Sequence, residues 1–138
     1  MTHDYLRKIN YYETDKMGIT HHSNYIKWLE EARIDFMDQI GYGFAQMESD
    51  GISSPVISLE AEYIRPTTFD DMLSINVTVE EFKGVKLVLG YTIINTRSKE
   101  KVFSGKTSHC FINKEGKPVI LKRSLPEFDA KLKSLLNK

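Results

Sequence analysis

The chain has 138 residues, of which 41% are hydrophobic and 28% charged, so it has enough apolar material for a core and too much for intrinsic disorder. Nineteen basic residues balance nineteen acidic ones, which excludes the overall positive field that attracts nucleic acid or anionic membranes. The length predicts a single domain over 1–138, and the lack of a signal-length or membrane-length apolar run predicts a cytoplasmic protein without membrane insertion.

The N-terminal part of the chain predicts a strand followed by a long helix. Residues 5–12 place Tyr5, Arg7 and Ile9 on one side, which favours a first strand. A polar stretch then runs to Ser23, a plausible N-cap. Apolar residues recur from there at helical spacing as far as residue 40, and glycines end the helix at 41 and 43.

The rest of the chain predicts strands that cover this helix. After a short helical piece at 44–49, alternating apolar residues occur over 57–63, 73–79, 87–93 and 102–112, with a terminal helix over 126–136. Because the connections are too short for crossover helices, we expect an antiparallel meander. The fold class is therefore α+β, one long helix wrapped by a curved antiparallel sheet of about five strands, whose exposed edges favour pairing with a second copy.

Residues 11–25 hold more reactive groups than any other comparable window, and they lie directly before the long helix. Free N–H groups near His22 and Ser23, at the positive end of the helix dipole, can stabilise an oxyanion. Asp15 can supply a base or a nucleophile if the loop containing Gly18 folds back over the helix start. Hydrolysis of a thioester requires these two functions together.

Several short motifs along most of the chain resemble one family. They are Tyr12 with Thr14-Asp15-x-x-Gly18, His22-Ser23-Asn24-Tyr25, Glu31-Ala32-Arg33, Tyr63-x-Arg65-Pro66, Phe69-Asp70-Asp71 and Gly116-Lys117-Pro118. Together they resemble the hydroxybenzoyl-coenzyme A thioesterase family of hotdog proteins, and particularly its branch of short-chain acyl-CoA thioesterases related to a Tol-Pal-associated member.

The resemblance implies a hotdog fold, hydrolysis of acyl-CoA, and a homodimer or homotetramer with sites between subunits. It assigns Asp15 as the catalytic carboxylate, either general base or nucleophile, and His22 as the position whose backbone N–H polarises the thioester carbonyl. Gly18 and Tyr25 are the expected substrate contacts beside them. The chain departs from the family at Lys16-Met17 and at His21, which affects the expected acyl-chain preference more than the reaction.

Binding of coenzyme A also requires cations for its phosphates, and Arg65, Lys86 and Arg123 are the candidates on strand ends or turns. No metal or other cofactor is expected, since a single cysteine and two adjacent histidines lack the spacing of a metal site. Cys110 next to His109 is interpreted as a buried structural residue, because neighbours on a strand point to opposite faces.

Other functions stay open at this point. Asp15 in a Thr-Asp-Lys-Met-Gly loop can simply shape a turn. The same fold can hydrolyse acyl groups from acyl carrier protein, or bind acyl-CoA without turnover, and the balanced charge does not separate these cases. A dehydratase is less favoured, because such enzymes resemble a different pattern.

Overall fold

The computed structural model describes residues 2–136, so the outermost residues of the predicted 1–138 domain, Met1, Asn137 and Lys138, lie outside the described part. Five strands form one antiparallel sheet, with β1 at Tyr5–Lys8, β2 at Val56–Tyr63, β3 at Met72–Lys83, β4 at Lys86–Asn95 and β5 at Lys101–Cys110. The helices are α1 at Ser23–Gln39, α2 at Phe44–Ser49, α3 at Leu121–Ser124 and α4 at Pro126–Ser134. This confirms the predicted α+β class.

The core lies between α1 and the concave face of the sheet. Trp28, Leu29 and Phe36 of α1 are buried, as the helical spacing of apolar residues predicts. Opposite them, alternate residues of the central strands are buried in the same cluster, among them Leu73, Ile75, Leu87, Leu89 and Ile93. Burial of each such large side chain contributes about 1.5–3 kcal/mol, so this contact orients α1 and with it the segment that precedes the helix.

The expected meander is correct for β3, β4 and β5 but wrong for β2. The strand order is β1-β3-β4-β5-β2, so β2 pairs with β5 at the edge of the sheet opposite β1, three places from β3. The eight residues 64–71 connect β2 to β3, and at about 3.3 Å per residue they span well over the roughly 14 Å that separates strands three places apart. A loop of this length lets β2 and β3 follow each other in the chain without pairing in the sheet.

Two local predictions near the N-terminus also differ from the structure. The first strand ends at Lys8, and residues Tyr11–Glu13 form a turn of 3₁₀ helix, because the Glu13 carboxylate accepts the N–H of Asn10 in a capping box. Ser23 is the first residue of α1 and His22 is the N-cap, with helical backbone angles and no side-chain cap. The Nδ1 of His21 accepts the Ser23 N–H instead, at 3.2 Å.

Strand β2 forms one edge of the sheet and is exposed along all eight residues. Its apolar side chains are nevertheless large, with Ile57 60% and Leu59 43% exposed. Edge strand β1 is by contrast four residues long and charged at Arg7 and Lys8. Long apolar edges with free backbone groups are the ones that pair with another chain.

Candidate active site

The loop of residues 14–20, here called the Asp15 loop, is a tight hairpin that ends just before α1. The N–H of Asp15 donates to the Ile19 carbonyl at 2.9 Å, and the Gly18 N–H donates to the Asp15 carbonyl at 3.0 Å. Gly18 has a φ of +78°, which favours glycine there. The Asp15 side chain also shapes this turn, because its Oδ1 accepts the Met17 N–H at 2.8 Å.

The two backbone N–H groups at the start of α1 differ, since one has an acceptor and the other has none among residues 2–136. Ser23 N–H is bound by the His21 ring, which removes it from the pair of oxyanion donors that the sequence suggested. Within residues 2–136 no acceptor pairs with the His22 N–H, whereas the His22 carbonyl accepts the Tyr63 hydroxyl at 3.1 Å. His22 therefore offers a free donor at the positive end of a 17-residue helix.

A cleft of about 240 Å³ lies between this helix start and the end of β2. Three of the predicted site residues line it, namely His22, Tyr25 and Arg65, together with Ile19, Thr20, Tyr63, Ile64 and Pro66. Asp15 and Gly18 lie outside the lining, on the arm of the Asp15 loop that precedes Ile19. The structure thus brings the helix start, one cation and an aromatic wall together, with the Asp15 loop at the rim.

Tyr25 is mainly a packing residue. It is 3% exposed, its ring contacts those of Trp28, Tyr63 and Phe103, and its hydroxyl lies 2.8 Å from the Thr67 hydroxyl. Burial raises the pKa of Tyr25, so the hydroxyl stays neutral at physiological pH. It contributes to the cleft as part of its inner wall.

The other two predicted cations do not line this cleft. Lys86 lies at the start of β4, opposite Cys110. Tyr63, at the cleft, is instead in line with Phe103 and Ile93 across the sheet. Lys86 and Ile93 are seven residues apart, which corresponds to roughly 23 Å along the strand. Arg123 is an exposed residue of α3. Arg65 does lie at the cleft, where its Nε is 3.1 Å from Oε2 of Glu100.

Tyr63 and Thr67 support the site, although the sequence pattern predicted no role there for either of them. Tyr63 was noted only as part of a motif. Tyr63 binds the His22 carbonyl, and its ring packs edge-on against Tyr25. Thr67 is 2% exposed and accepts the N–H and the hydroxyl of Thr20 through its carbonyl, at 2.8 and 3.1 Å. The only available signal was their position on either side of Arg65-Pro66, with Tyr63 at the end of β2 and Thr67 in the connection to β3.

A second polar cluster lies near the opposite end of the sheet. His109 is fully buried, with Nδ1 3.1 Å from the Ser54 carbonyl and Nε2 2.8 Å from the Thr107 hydroxyl. The neighbouring Cys110 is only partly buried, so the prediction of a buried cysteine was wrong. Burial, together with the charge of Arg33, lowers the pKa of His109 to about 4. Because a carbonyl can only accept, Nδ1 carries the proton of this neutral ring.

Within residues 2–136, no group of three or more His, Cys, Asp or Glu side chains has an arrangement that could hold a metal ion. In the same part of the chain, none of the helices combines the length and the apolar character needed to cross a bilayer.

Comparison with known proteins identifies the family. The model of the thioesterase-like superfamily matches residues 9–136. A putative acyl-CoA thioesterase of Bacillus subtilis, YneP, is 30% identical over 122 residues, covering 88% of both chains. The acyl-CoA thioester hydrolase YbgC of Escherichia coli O157:H7 is 25% identical over 91 residues, covering 66% of this chain and 68% of its own.

A solved structure extends the likeness to the whole fold. The DHNA-CoA thioesterase of Staphylococcus aureus superimposes with a TM-score of 0.91 at 31% identity, covering 96% of this chain and 89% of that one. The family match spans nearly all described residues, and the sheet and central helix agree with it. The chain therefore belongs to the thioesterase-like superfamily and is a thioesterase of hotdog fold.

Proposed function

We propose that this thioesterase hydrolyses acyl-CoA to a free carboxylic acid and coenzyme A, with Asp15 as the catalytic carboxylate and the His22 N–H as the oxyanion donor. One observation carries the proposal. The Asp15 loop returns directly onto the helix start, where the His22 N–H lacks an acceptor among residues 2–136 beside a cleft. A carboxylate and a free donor on one short segment are the two groups that thioester hydrolysis requires.

The Asp15 side chain is arranged for such a role. Its Oδ1 accepts the Met17 N–H, which fixes the carboxylate, while within residues 2–136 no donor pairs with Oδ2. As a general base, Oδ2 takes a proton from water, whose oxygen attacks the thioester carbonyl carbon. The carbon–sulfur bond then breaks, and the proton passes from Asp15 to the departing coenzyme A thiolate. As a nucleophile, the same oxygen attacks the carbonyl carbon and displaces the coenzyme A thiolate as the carbon–sulfur bond breaks. Water then hydrolyses the resulting anhydride, which releases the acid and restores Asp15.

The shape of the cleft supports a compact acyl group. Its volume is about 240 Å³, and its wall includes the rings of His22, Tyr25 and Tyr63. Flat ring faces of this kind pack well against an aromatic ring. We therefore propose an aromatic acyl group, as in the DHNA-CoA thioesterase of Staphylococcus aureus, ahead of the short aliphatic chains that the sequence motifs favoured.

The proposed enzyme is a homodimer or a tetramer built from dimers. Strand β2 offers a free edge with Val56, Ile57 and Leu59 between 43% and 60% exposed. Antiparallel pairing of β2 with its copy would set the Val56 end of one subunit beside the Tyr63 end, and hence the cleft, of the other. Each cleft would then lie between subunits.

Three finer assignments belong to the same proposal. We place residues 1–138 in one thioesterase domain, in the cytoplasm, and in the branch related to the Tol-Pal-associated thioesterase. The motif around Asp15 and His22 supports the branch assignment, and the composition supports the other two.

Arg65 at the cleft is the proposed contact for a coenzyme A phosphate.

The test is a panel of thioesters assayed with a thiol-trapping reagent. The panel contains acetyl-, butyryl-, benzoyl-, 1,4-dihydroxy-2-naphthoyl- and palmitoyl-CoA, and one acyl group carried on acyl carrier protein. We expect the highest kcat/KM on an aromatic acyl-CoA and the lowest on palmitoyl-CoA. A preference for the carrier-protein substrate would support the acyl-carrier-protein alternative, and binding of acyl-CoA without thiol release would support the non-catalytic alternative.

A further inference from the structure

Glu13 is a buried carboxylate at the base of the Asp15 loop. It is 3% exposed, and its two oxygens accept four hydrogen bonds. Arg7 donates two of them at 2.8 and 2.9 Å, the Trp28 indole donates at 2.9 Å, and the Asn10 N–H donates at 2.8 Å. Burial favours the neutral acid, yet these donors and the charge of Arg7 outweigh it and hold the pKa of Glu13 below its ordinary value.

The main chain of the same residue joins both ends of the Asp15 loop. The Glu13 carbonyl accepts the His21 N–H at 2.9 Å and the Asn24 side-chain amide at 2.9 Å. The chain leaves Glu13 toward Asp15, two residues on, and it returns to Glu13 at His21, one residue before His22. The position of the Asp15 carboxylate and that of the His22 N–H therefore both depend on Glu13.

Arg7 connects this anchor to the body of the protein. Its guanidinium binds Glu13 on one side and the Oε1 of Glu31 on the other, at 2.9 Å, and lies 5.6 Å from the centre of the Trp28 ring. Strand β1, the 3₁₀ turn that precedes the Asp15 loop, and α1 thus meet at one guanidinium. A fork of N–H donors between two carboxylates gives a more rigid geometry than a single point charge.

We infer that Glu13, held by Arg7, is a positioning residue that fixes the Asp15 loop against the start of α1 for catalysis. The inference rests on the proposed roles of Asp15 and His22, and it adds the reason why the two groups keep their separation. A displacement of about 1 Å at a reacting group can cost roughly 10²-fold in rate. The four hydrogen bonds to Glu13 oppose such a displacement, although Glu13 is not among the residues that line the cleft.

The chain provides a matched pair of variants to test this. Glu13→Gln and Glu31→Gln each remove one carboxylate charge from Arg7 and leave the main chain intact. Within the described residues, only Glu13 has a main-chain carbonyl that accepts the His21 N–H, so only Glu13→Gln loosens the residue that holds the loop. We expect Glu13→Gln to lower kcat by roughly 10- to 100-fold with little change in KM. We expect Glu31→Gln to lose some thermal stability and to keep kcat. Both are assayed well below their unfolding temperatures.

Amide hydrogen exchange gives a readout that does not depend on turnover. The N–H groups of Asp15 and His21 are expected to exchange about tenfold faster or more in Glu13→Gln, and at the parent rate in Glu31→Gln. If Glu13→Gln does not fold, Arg7→Lys serves in its place, because it keeps the charge and loses the fork. Its loop amides are expected to exchange faster than in Glu31→Gln.

Equal kcat and equal loop exchange in the two glutamine variants would overturn the inference, and so would unchanged loop exchange in Arg7→Lys. The proposed function fails in a different way. If the parent protein released no thiol from any acyl-CoA, Asp15 chemistry would be contradicted, while the exchange rates would still decide whether Glu13 holds the loop.

Discussion

Buried polar groups occur at both ends of the sheet's concave face, namely the loop end, beside the Asp15 loop, and the far end, around His109. The two ends differ in whether the arginine there is paired with a carboxylate. At the loop end, Arg7 is paired with Glu13 and Glu31, and the cluster supports an exposed segment beside a cleft. At the far end, Arg33 is 7% exposed and forms no ion pair with a carboxylate of residues 2–136. The ion-paired arginine therefore lies at the end with the proposed catalytic groups, and the arginine without an ion pair among the described residues lies at the end that is buried.

At the far end, a directed chain of neutral groups begins at Arg33, whose Nε is buried without an acceptor among residues 2–136. Arg33 donates to the Tyr91 hydroxyl at 3.1 Å, which lies 2.6 Å from the Thr107 hydroxyl, and Thr107 in turn contacts His109. Since His109 donates its one proton to the Ser54 carbonyl, Thr107 donates to His109 and Tyr91 donates to Thr107. This chain ties α1 to β4, to β5 and to Ser54 just before β2, so we expect its loss to affect stability and not catalysis.

Asp15→Asn should have the largest effect at the loop end. It keeps the size of the side chain and removes the charge, so we expect turnover to fall by roughly 10²–10⁴-fold with little change in substrate affinity. Thermal unfolding should match that of the parent, because Asp15 is partly exposed. Activity within a few-fold of the parent on the best acyl-CoA would show that Asp15 is not catalytic.

His109 should make the far end sensitive to acid. Its pKa is about 4 in the folded protein and about 6.5 when unfolded, so the unfolded state binds more protons between these values. Stability from this residue is complete above pH 6.5 and is lost as the pH falls toward 4, by on the order of 3 kcal/mol in total. Denaturant titrations between pH 7.5 and 4 measure the loss.

The control for His109 is His109→Gln, which retains a donor and an acceptor but does not titrate. Its free energy of unfolding should change less steeply with pH in the same window, and its kcat at pH 7.5 should stay within a few-fold of the parent. An unchanged pH slope would assign the acid sensitivity to other groups. A collapse of kcat without unfolding would contradict the division between the two ends.

Pairing of β2 edges would bring the loop end of one subunit beside the far end of the other, and Leu59→Lys tests it. A charge at this 43% exposed apolar edge position should weaken the dimer at least about tenfold, with parallel loss of activity. Sedimentation velocity over a concentration series measures this. Ser58→Lys, which lies one residue away on the other face of β2, should leave the dimer intact. A fully active monomer would refute a site shared between subunits.

His22→Ala should have the smallest effect. The exposed ring stacks on His21 at 4.3 Å and is lost, but the backbone N–H remains, so we expect kcat to fall by less than about tenfold. His22→Pro is the contrast, since it deletes the N–H at a φ of −57° that proline can adopt. A loss for alanine as large as for proline would transfer the role to the imidazole.

Local patterns explain how much of the site could be predicted. Asp15, Gly18 and His22 lie within one short window whose turn chemistry and helix start are encoded by neighbouring residues, and Arg65 lies in a recognisable motif. Glu13 and Arg7 are close in sequence too, but their pairing depends on Trp28 and Glu31 from α1. The roles of Tyr63 and Thr67 depend on contacts with residues about forty positions away in the sequence, which a local periodic pattern does not reveal.

The sequence by itself determined the length of α1, the number of strands and the segment that carries the reactive groups, because helical and strand periods and turn residues are local properties. The tertiary structure alone decided that β2 crosses to the far edge, that His21 occupies the Ser23 N–H, and that Lys86 lies far from the cleft. Those outcomes follow from strand pairing and from which donors are left without partners once the chain has packed.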